Sequence, residues 1–401
     1  MNKKSSLLII FLTVFIDLLG FGILIPILPT FASKNLHVSD FGIGTLVAIF
    51  SLMQFLFNPV FGKLSDRFGR KRIIMITLCM TGTSYFIFSI AHSYWLLFFS
   101  RMLAGLGGSN LGVAQAYIAD VTEKHERSKG MGMMGAAFGL GFVLGPLMGG
   151  FLSHFGYAMV GIASGCFSFT AFFFAMFFLK EPPKVRAKTP FMLKDLKLFD
   201  FKFAAKTFKN PGLGLMIGLF FITTFSYANI NGTLAILGYK HYGFTDQQNG
   251  MLFGVLGIFT ILIQGIFIRL MAGKIQERNL IIFGMLSMSI GLSLLPFGWS
   301  FSSVAGIISI LAIGNAVMQP TALSMVSKYA SDTEQGAVLG LNQSMSSLGR
   351  VLGPLWGGFS YDFLGYQTPF LTGGIVMFCT AVFCIFFFER KKSENLETEN
   401  V

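Results

Sequence analysis

The strongest constraint on this chain is the recurrence of apolar stretches about 20 residues long, the length at which a helix rising 1.5 Å per residue crosses roughly 30 Å of hydrocarbon. With charged or Gly/Pro-rich breaks taken as loops, twelve spans are predicted. The first six are 7–30, 40–61, 72–92, 95–118, 130–152 and 157–179. The second six are 213–237, 247–270, 279–298, 304–326, 336–358 and 367–388. Only 12% of the 401 residues are charged and 53% are hydrophobic, which excludes an ordinary soluble domain. In lipid the backbone must satisfy its own hydrogen bonds, so the predicted class is an all-α polytopic membrane protein. The first span lacks a small-residue cleavage site and carries Asp17 and two prolines, so it is expected to be a span and not a cleaved signal.

A net charge of +12 raises the question of nucleic acid, and the distribution of the charge answers it. With the N-terminus inside, the predicted outer loops keep only Lys34 and Lys240, and Arg101 and Arg350 fall within spans. All other Lys and Arg lie on the inner side. This is the positive-inside pattern, which predicts both termini in the cytoplasm and no nucleic-acid partner. The four cysteines, Cys79, Cys166, Cys379 and Cys384, all fall in spans without metal-like spacing and read as apolar filler.

The chain is written twice. "ERSKGMGMMGAAFGLGFVLGPLMGGF" from Glu126 and "EQGAVLGLNQSMSSLGRVLGPLWGGF" from Glu334 share one pattern. A single ungapped shift lays Gly145-Pro146 on Gly353-Pro354 and Gly149-Gly150 on Gly357-Gly358. The expected organisation is an N-terminal six-helix half (1–179), a cytoplasmic linker with an amphipathic segment (180–212), a C-terminal half (213–388) and a cytoplasmic tail (389–401). Two parallel six-helix halves around a midplane cavity is an architecture of secondary transporters.

Asp17 is the candidate that weighs most. The other seventeen acids fall in loops, tails or helix ends, so Asp17 is the only carboxylate predicted deep in the membrane. A charge there costs about 2.5–3.5 kcal/mol on insertion scales, and such residues are functional by default. Desolvation and a nearby cation act on a carboxylate in opposite senses, so its protonation can follow changes in exposure. Asp17 is therefore expected to carry a proton, with structural tolerance as the alternative.

Arg101 and Arg350 each lie about 10 Å from the outer surface by helical rise. Snorkelling can account for either. Yet Gly105, Gly108, Gly112 and Gln115 follow Arg101 at helical spacing, and Asn342, Gln343 and Ser346 or Ser347 precede Arg350 on one face. Both are read as inward-facing, as charge partners or as contacts for an anion or substrate. The repeat equivalent of Arg350 is Phe142, so internal symmetry does not demand it. Uncharged candidates for lining a cavity are Gln54, Asn58, Tyr227, Asn229, Asn231, Gln264, Asn315 and Gln319. Bridging between helices is the competing role for each. Gly141, Gly145 and Gly149 share a face of the fifth span, as Gly349, Gly353 and Gly357 do of the eleventh, a spacing that lets helices approach closely. Gly62 is expected to let the second span end against a neighbour.

"GKLSDRFGRKR" (62–72), "RMLAGLGG" (101–108) and "GFVLGPLMGG" (141–150) resemble the signature motifs of the major facilitator superfamily, each at its place in the topology. "DLLGFGILIPILP" and "YIADVTEKHERSKGMG" are similar to its twelve-helix drug:proton antiporter branch, tetracycline-efflux proteins especially. The resemblance implies that Asp66 latches a cytoplasmic gate with Arg67 and Gly69 in the same loop, and that Arg70 pairs with Asp120. It also implies that Gly141, Gly145, Pro146, Gly149 and Gly150 form the antiporter-associated motif. It does not extend to the membrane acids that tetracycline exporters carry in their third and ninth helices, because 72–92 and 279–298 contain no Asp or Glu.

No Walker loop, paired acids or metal-ligand cluster is present in the sequence, so neither an enzyme nor ATP as the energy source is expected. The expectation is proton-coupled efflux of lipophilic or cationic small molecules such as drugs or tetracycline-like compounds. No cofactor is expected; the proton gradient supplies the energy, the chain is monomeric, and it sits in a bacterial cytoplasmic membrane. The alternatives are a facilitator or symporter for a polar or anionic solute, a lipid-linked flippase, and a non-transporting receptor or scaffold.

Overall fold

The computed structural model describes residues 3–122, 127–182, 201–267, 274–330 and 335–399. Among them there are helices and turns but no strand. The first six expected spans are occupied by α1 (Lys3–Leu36), α2 (Asp40–Phe68), α3 (Arg70–Ser89), α4 (Tyr94–Gly107) with α5 (Asn110–Val121), α6 (Arg127–Leu152) and α7 (Tyr157–Phe178). A short helix, α8 (Phe201–Phe208), follows. The second six are α9 (Pro211–Lys240), α10 (Asp246–Leu262), α11 (Glu277–Leu294), α12 (Phe301–Tyr329), α13 (Gln335–Leu364) and α14 (Thr368–Glu399). Ten of the described helices are long and apolar enough to cross a membrane. α4 and α5 fall short singly, and α13 is diluted by Asn342, Gln343, Ser346, Ser347 and Arg350.

Four local expectations need correction. The second span does not end at residue 61; it continues to Phe68. A Cβ at Gly62 would meet nothing within 4 Å, so this glycine does not clear space for a neighbour. The fourth span is not one regular helix: it is interrupted at Gly108 and Ser109, so the residues from Arg101 to Gln115 do not lie along one continuous helix. The eighth span passes into a π-helical turn, Ile263–Phe267, that contains Gln264. Of the predicted amphipathic linker, α8 is helical with Ala204 and Thr207 buried and Lys206 exposed, while residues 183–200 lie outside the described residues.

Two compact units emerge. Met1–Asp200 groups with Asn231–Gly257, and Phe201–Ile230 groups with Ile258–Val401. In the first unit α1 lies against α6 with backbone almost touching backbone. A Cβ at Gly145 would sit 2.6 Å from Gly22 Cα, one at Gly141 would sit 2.8 Å from Leu18 Cβ, and one at Gly149 would collide with the Ile23 carbonyl. Gly150, on the other face, approaches the start of α10 at Gln247 Cα, 2.8 Å from the place of a Cβ. α6 continues as a helix through Pro146, whose carbonyl faces Gly250.

The second unit repeats the device. Gly349 and Gly353 of α13 seat on the backbone of α9 at Phe221 and Phe225, at 3.0 Å and 2.5 Å from the places of their Cβ atoms. The sequence repeat is therefore a packing repeat: first helix against fifth, and seventh against eleventh. α11 packs on α12 through a reciprocal Gly284–Gly314 contact and on α14 through Gly374.

In such a contact a side chain displaces backbone, which cannot yield as a flexible side chain can. Gly145→Leu is expected to cost upwards of about 2 kcal/mol and lower the thermal midpoint by several degrees, whereas Gly132→Ala, with nothing within 4 Å, stays within about 0.5 kcal/mol of the wild type. Heating in detergent followed by size-exclusion chromatography checks both.

Candidate functional site

Asp17 is 5% exposed and sits where three helices meet. One turn further along α1, a Cβ at Gly20 would lie 2.9 Å from the Ser164 carbonyl, 3.4 Å from Ser168 Oγ and 3.4 Å from the Tyr85 ring. The missing side chain is what lets α7 and α3 close on α1 here. The Asp17 carboxylate accepts two hydrogen bonds, from Asn110 Nδ2 at 2.7 Å and from Ser168 Oγ at 2.7 Å. Both donors are neutral and buried. No ion pair reaches Asp17 among the described residues, so the carboxylate stands in the bundle without a counter-charge.

Neither donor was singled out in the sequence. Asn110 is the first residue of α5, directly after the break in the fourth span. The break frees backbone groups that lipid cannot satisfy, and Gln54 of α2 answers one of them: its Nε2 donates to the Gly108 carbonyl at 2.9 Å. Gln54 is thus held by a backbone carbonyl at the break. A polar residue directly after a Gly-Gly-Ser run was the readable signal. On the near side of the break, Arg101 is 5% exposed and lies over the Phe50 ring at 4.7 Å, and its Nε has no hydrogen-bond partner. Tyr85 lies within electrostatic reach of both Arg101 and Asp17. Further along, the Asn58 Oδ1 is buried without a partner, and Gln115 is exposed. Asn231, in the part of α9 that belongs to this unit, is half-buried.

In the second unit Arg350 donates to Ser346 Oγ at 3.0 Å and to Ser347 Oγ at 2.8 Å, both on its own helix. It makes no ion pair among the described residues. The expected polar face of α13 is thus present, with Asn342 buried and Gln343 exposed. Asn342 and Asn315 each keep a buried Oδ1 without a partner. Tyr227 and Gln319 are half-buried and Gln264 is exposed. Asn229 bridges helices instead, its Nδ2 donating to the Pro369 carbonyl at 2.7 Å.

The loop between α2 and α3 is built on Gly69, whose φ of +103° is in the region that favours glycine. A Cβ there would also meet the carboxylate of Glu181, 2.7 Å away. Glu181 accepts from the backbone N–H of Arg70 at 2.5 Å and of Lys71 at 3.1 Å, so an acid caps the positive end of α3. Arg70 is the hub of this end of the bundle. It pairs with Asp66 one turn back and with Asp120 of α5 at 3.0 Å, and it donates to Ser65 Oγ and to the Gly62 carbonyl. Gly62 therefore contributes its carbonyl. Arg67 is exposed beside the Phe68 ring. The Arg70–Asp120 pairing that the resemblance implies is in place, and the contribution of Glu181 was missed because it lies far along the chain.

At the opposite end, the two lysines predicted outside, Lys34 and Lys240, are both engaged. Lys240 reaches Asp40 at 2.6 Å, and Lys34 reaches Asp246 at 3.4 Å while lying over the Tyr239 ring. Tyr157 OH donates to the same Asp246 at 2.7 Å. These contacts fasten the facing ends of α9 and α10 to α1, α2 and α7, which explains why residues 231–257 group with the first unit.

This arrangement has the parts of a membrane transporter, and the comparisons with known proteins agree. The family model described as "Major Facilitator Superfamily" matches residues 10–297 and 215–400. Multidrug resistance protein 2 of Bacillus subtilis (strain 168) is 29% identical over 94% of this chain and 94% of its own. Tetracycline resistance protein, class G, of Vibrio anguillarum is 30% identical over 88% of this chain and 89% of its own. Among solved structures, the human organic anion transporter MFSD10 (TETRAN) superposes with a TM-score of 0.72 at 24% identity, covering 96% of this chain and 100% of that one. The nucleoside transporter NupG superposes with a TM-score of 0.77 at 14% identity, covering 97% and 99%. The chain is an integral membrane protein with the major facilitator fold, a transporter of small molecules and not an enzyme, and it belongs to the major facilitator superfamily.

Proposed function

We propose that this transporter exports lipophilic or cationic small molecules in exchange for protons, with Asp17 as the group that carries the proton. The observation behind this reading is the state of Asp17: a buried carboxylate, midway along a spanning helix, held by two neutral donors and by no cation. A purely structural carboxylate gains little from such a place, since neutral residues of the same shape would pack there without the desolvation cost. A carboxylate that alternates between charged and neutral forms has a use for a site that tolerates both. The names of the relatives, multidrug and tetracycline resistance proteins, support the substrate class. The Arg70–Asp66–Asp120 cluster suits a latch that opens and closes the cytoplasmic end, and the basic loops support the inner side for that end. On this reading the chain works as a monomer in a bacterial cytoplasmic membrane and needs no cofactor beyond the proton gradient.

The test is transport in proteoliposomes with an imposed pH gradient and with ethidium and tetracycline as probes. Wild type is expected to accumulate at least one of them against its gradient. Asp17→Asn is expected to lose this driven flux by about tenfold or more, as when an interaction needed only in the coupled step is removed. Driven flux in Asp17→Asn equal to the wild type contradicts the reading.

A second reading rests on a different observation: Arg101 is buried and Arg350 half-buried, and neither cation has an acid partner among the described residues. Such groups suit an anionic solute carried by a facilitator or symporter. That reading predicts that Arg350→Ala abolishes transport of an organic anion such as p-aminohippurate, that collapse of the pH gradient leaves it unchanged, and that neither cationic nor tetracycline probe is moved.

A further inference from the structure

The two groups bonded to Asp17 have a property that a fixed charge lacks. Asn110 and Ser168 can each donate to a carboxylate and can each accept from a carboxylic acid, the amide by turning end for end and the hydroxyl by rotating its O–H. In the structure they donate. Asn110 Oδ1, the face of the amide turned away from Asp17, is buried and has no partner, as is Ser164 Oγ one turn from Ser168 on α7. An arginine or lysine in this position would favour the ionised form alone. An apolar pocket would favour the neutral form alone. An Asn and a Ser leave Asp17 satisfied in either state.

The position of Asn110 adds a mechanical consequence. It is 3% exposed, it opens α5, and two residues before it the fourth span is broken at Gly108 and Ser109. Beyond the break lies α4 with Arg101. Gln54 supports the break from α2 through the Gly108 carbonyl. Asp17 on α1 is thus joined by one hydrogen bond to the discontinuity of the fourth span.

We propose that Asn110 and Ser168 are positioning residues for proton coupling, an ambivalent cradle that accommodates Asp17 with and without its proton, with Asn110 passing the change to the break between α4 and α5. This rests on the reading of Asp17 as the proton carrier. The proton is taken from water on one side of the membrane and returned to water on the other; Asn110 and Ser168 exchange hydrogen-bond roles and neither gain nor lose a proton. The other groups that bear on Asp17 are Tyr85 of α3 and, through it, Arg101 of α4. The described side chains of α6 and α7 include no charged residue. The charged residues of α2 and α5 that the structure pairs, Asp40, Asp66 and Asp120, are engaged at the helix ends.

The experiment compares two activities in proteoliposomes, with whichever of ethidium and tetracycline the wild type carries. Counterflow exchange of labelled for unlabelled probe needs no net proton movement; accumulation driven by a pH gradient does. Asn110→Leu keeps the shape of the side chain without its polar ends, and Ser168→Ala removes one hydroxyl. Both are expected to keep counterflow within about twofold of the wild type and to lose about tenfold or more of the driven flux, the scale of one hydrogen bond to a charged group. Asp17→Asn/Asn110→Leu is expected to be no worse than Asp17→Asn, because both act on one step. Driven flux in both Asn110→Leu and Ser168→Ala within about twofold of the wild type overturns the inference while leaving Asp17 as the proton carrier if Asp17→Asn is uncoupled. Parallel loss of counterflow and driven flux also overturns it, since that marks a structural role. If Asp17→Asn itself retains driven flux, both this inference and the reading beneath it fall.

Discussion

Hydrocarbon offers no partner to a backbone N–H or C=O, and everything else in this molecule follows from that. Helices close their own hydrogen bonds, so the chain is helical almost wherever it crosses the bilayer. Where a helix is interrupted, a side chain must supply what the backbone lost. The fourth span breaks at Gly108 and Ser109, and Gln54 answers the Gly108 carbonyl. Thr30, near the two prolines of α1, spends its hydroxyl on its own helix, donating to the Ile27 carbonyl at 3.0 Å. Asn229 spends its amide on the Pro369 carbonyl in the first turn of α14. Several polar residues in the spans are thus consumed by the backbone before any substrate is considered.

The second dependence is close approach. Helices in lipid gain no hydrophobic advantage from meeting one another, so they rely on contact. Glycines on α6 bring its backbone against α1, and Gly20 lets α7 and α3 close on the same helix. The result is a closely packed junction around Asp17, furnished with one amide and one hydroxyl. Arg101, the cation nearest to this region on the fourth span, is turned over Phe50. A carboxylate in low dielectric with no cation at hand is an electrostatic liability unless its charge is temporary. Packing that serves stability therefore also sets the chemistry of Asp17.

Much of this was legible in the chain. The spans came from length and hydropathy alone, and the glycine–proline repeat announced that the fifth and eleventh spans let a neighbour approach closely, without saying which neighbour. The Arg70–Asp120 contact followed from a motif. What could not be read was whatever depended on distant segments meeting. Glu181 caps α3 from more than a hundred residues away. Asn110 and Ser168 look like ordinary polar residues until the fold sets them beside Asp17. The break in the fourth span was hidden because Gly107, Gly108 and Ser109 lie within an otherwise apolar stretch, where small residues signal packing as readily as interruption. Gly62 misled for a similar reason: a glycine at a loop suggests crowding, and here the space beside it is open and its carbonyl is the working part.

The claim on which the account turns is that the Asp17 carboxylate changes its protonation within the folded protein. Infrared difference spectroscopy of the reconstituted transporter, titrated with pH, observes this directly through the carbonyl stretch of a protonated carboxyl group. The account predicts a reversible band in the wild type that is absent from Asp17→Asn and perturbed in Asn110→Leu. Identical titration spectra for wild type and Asp17→Asn would contradict it.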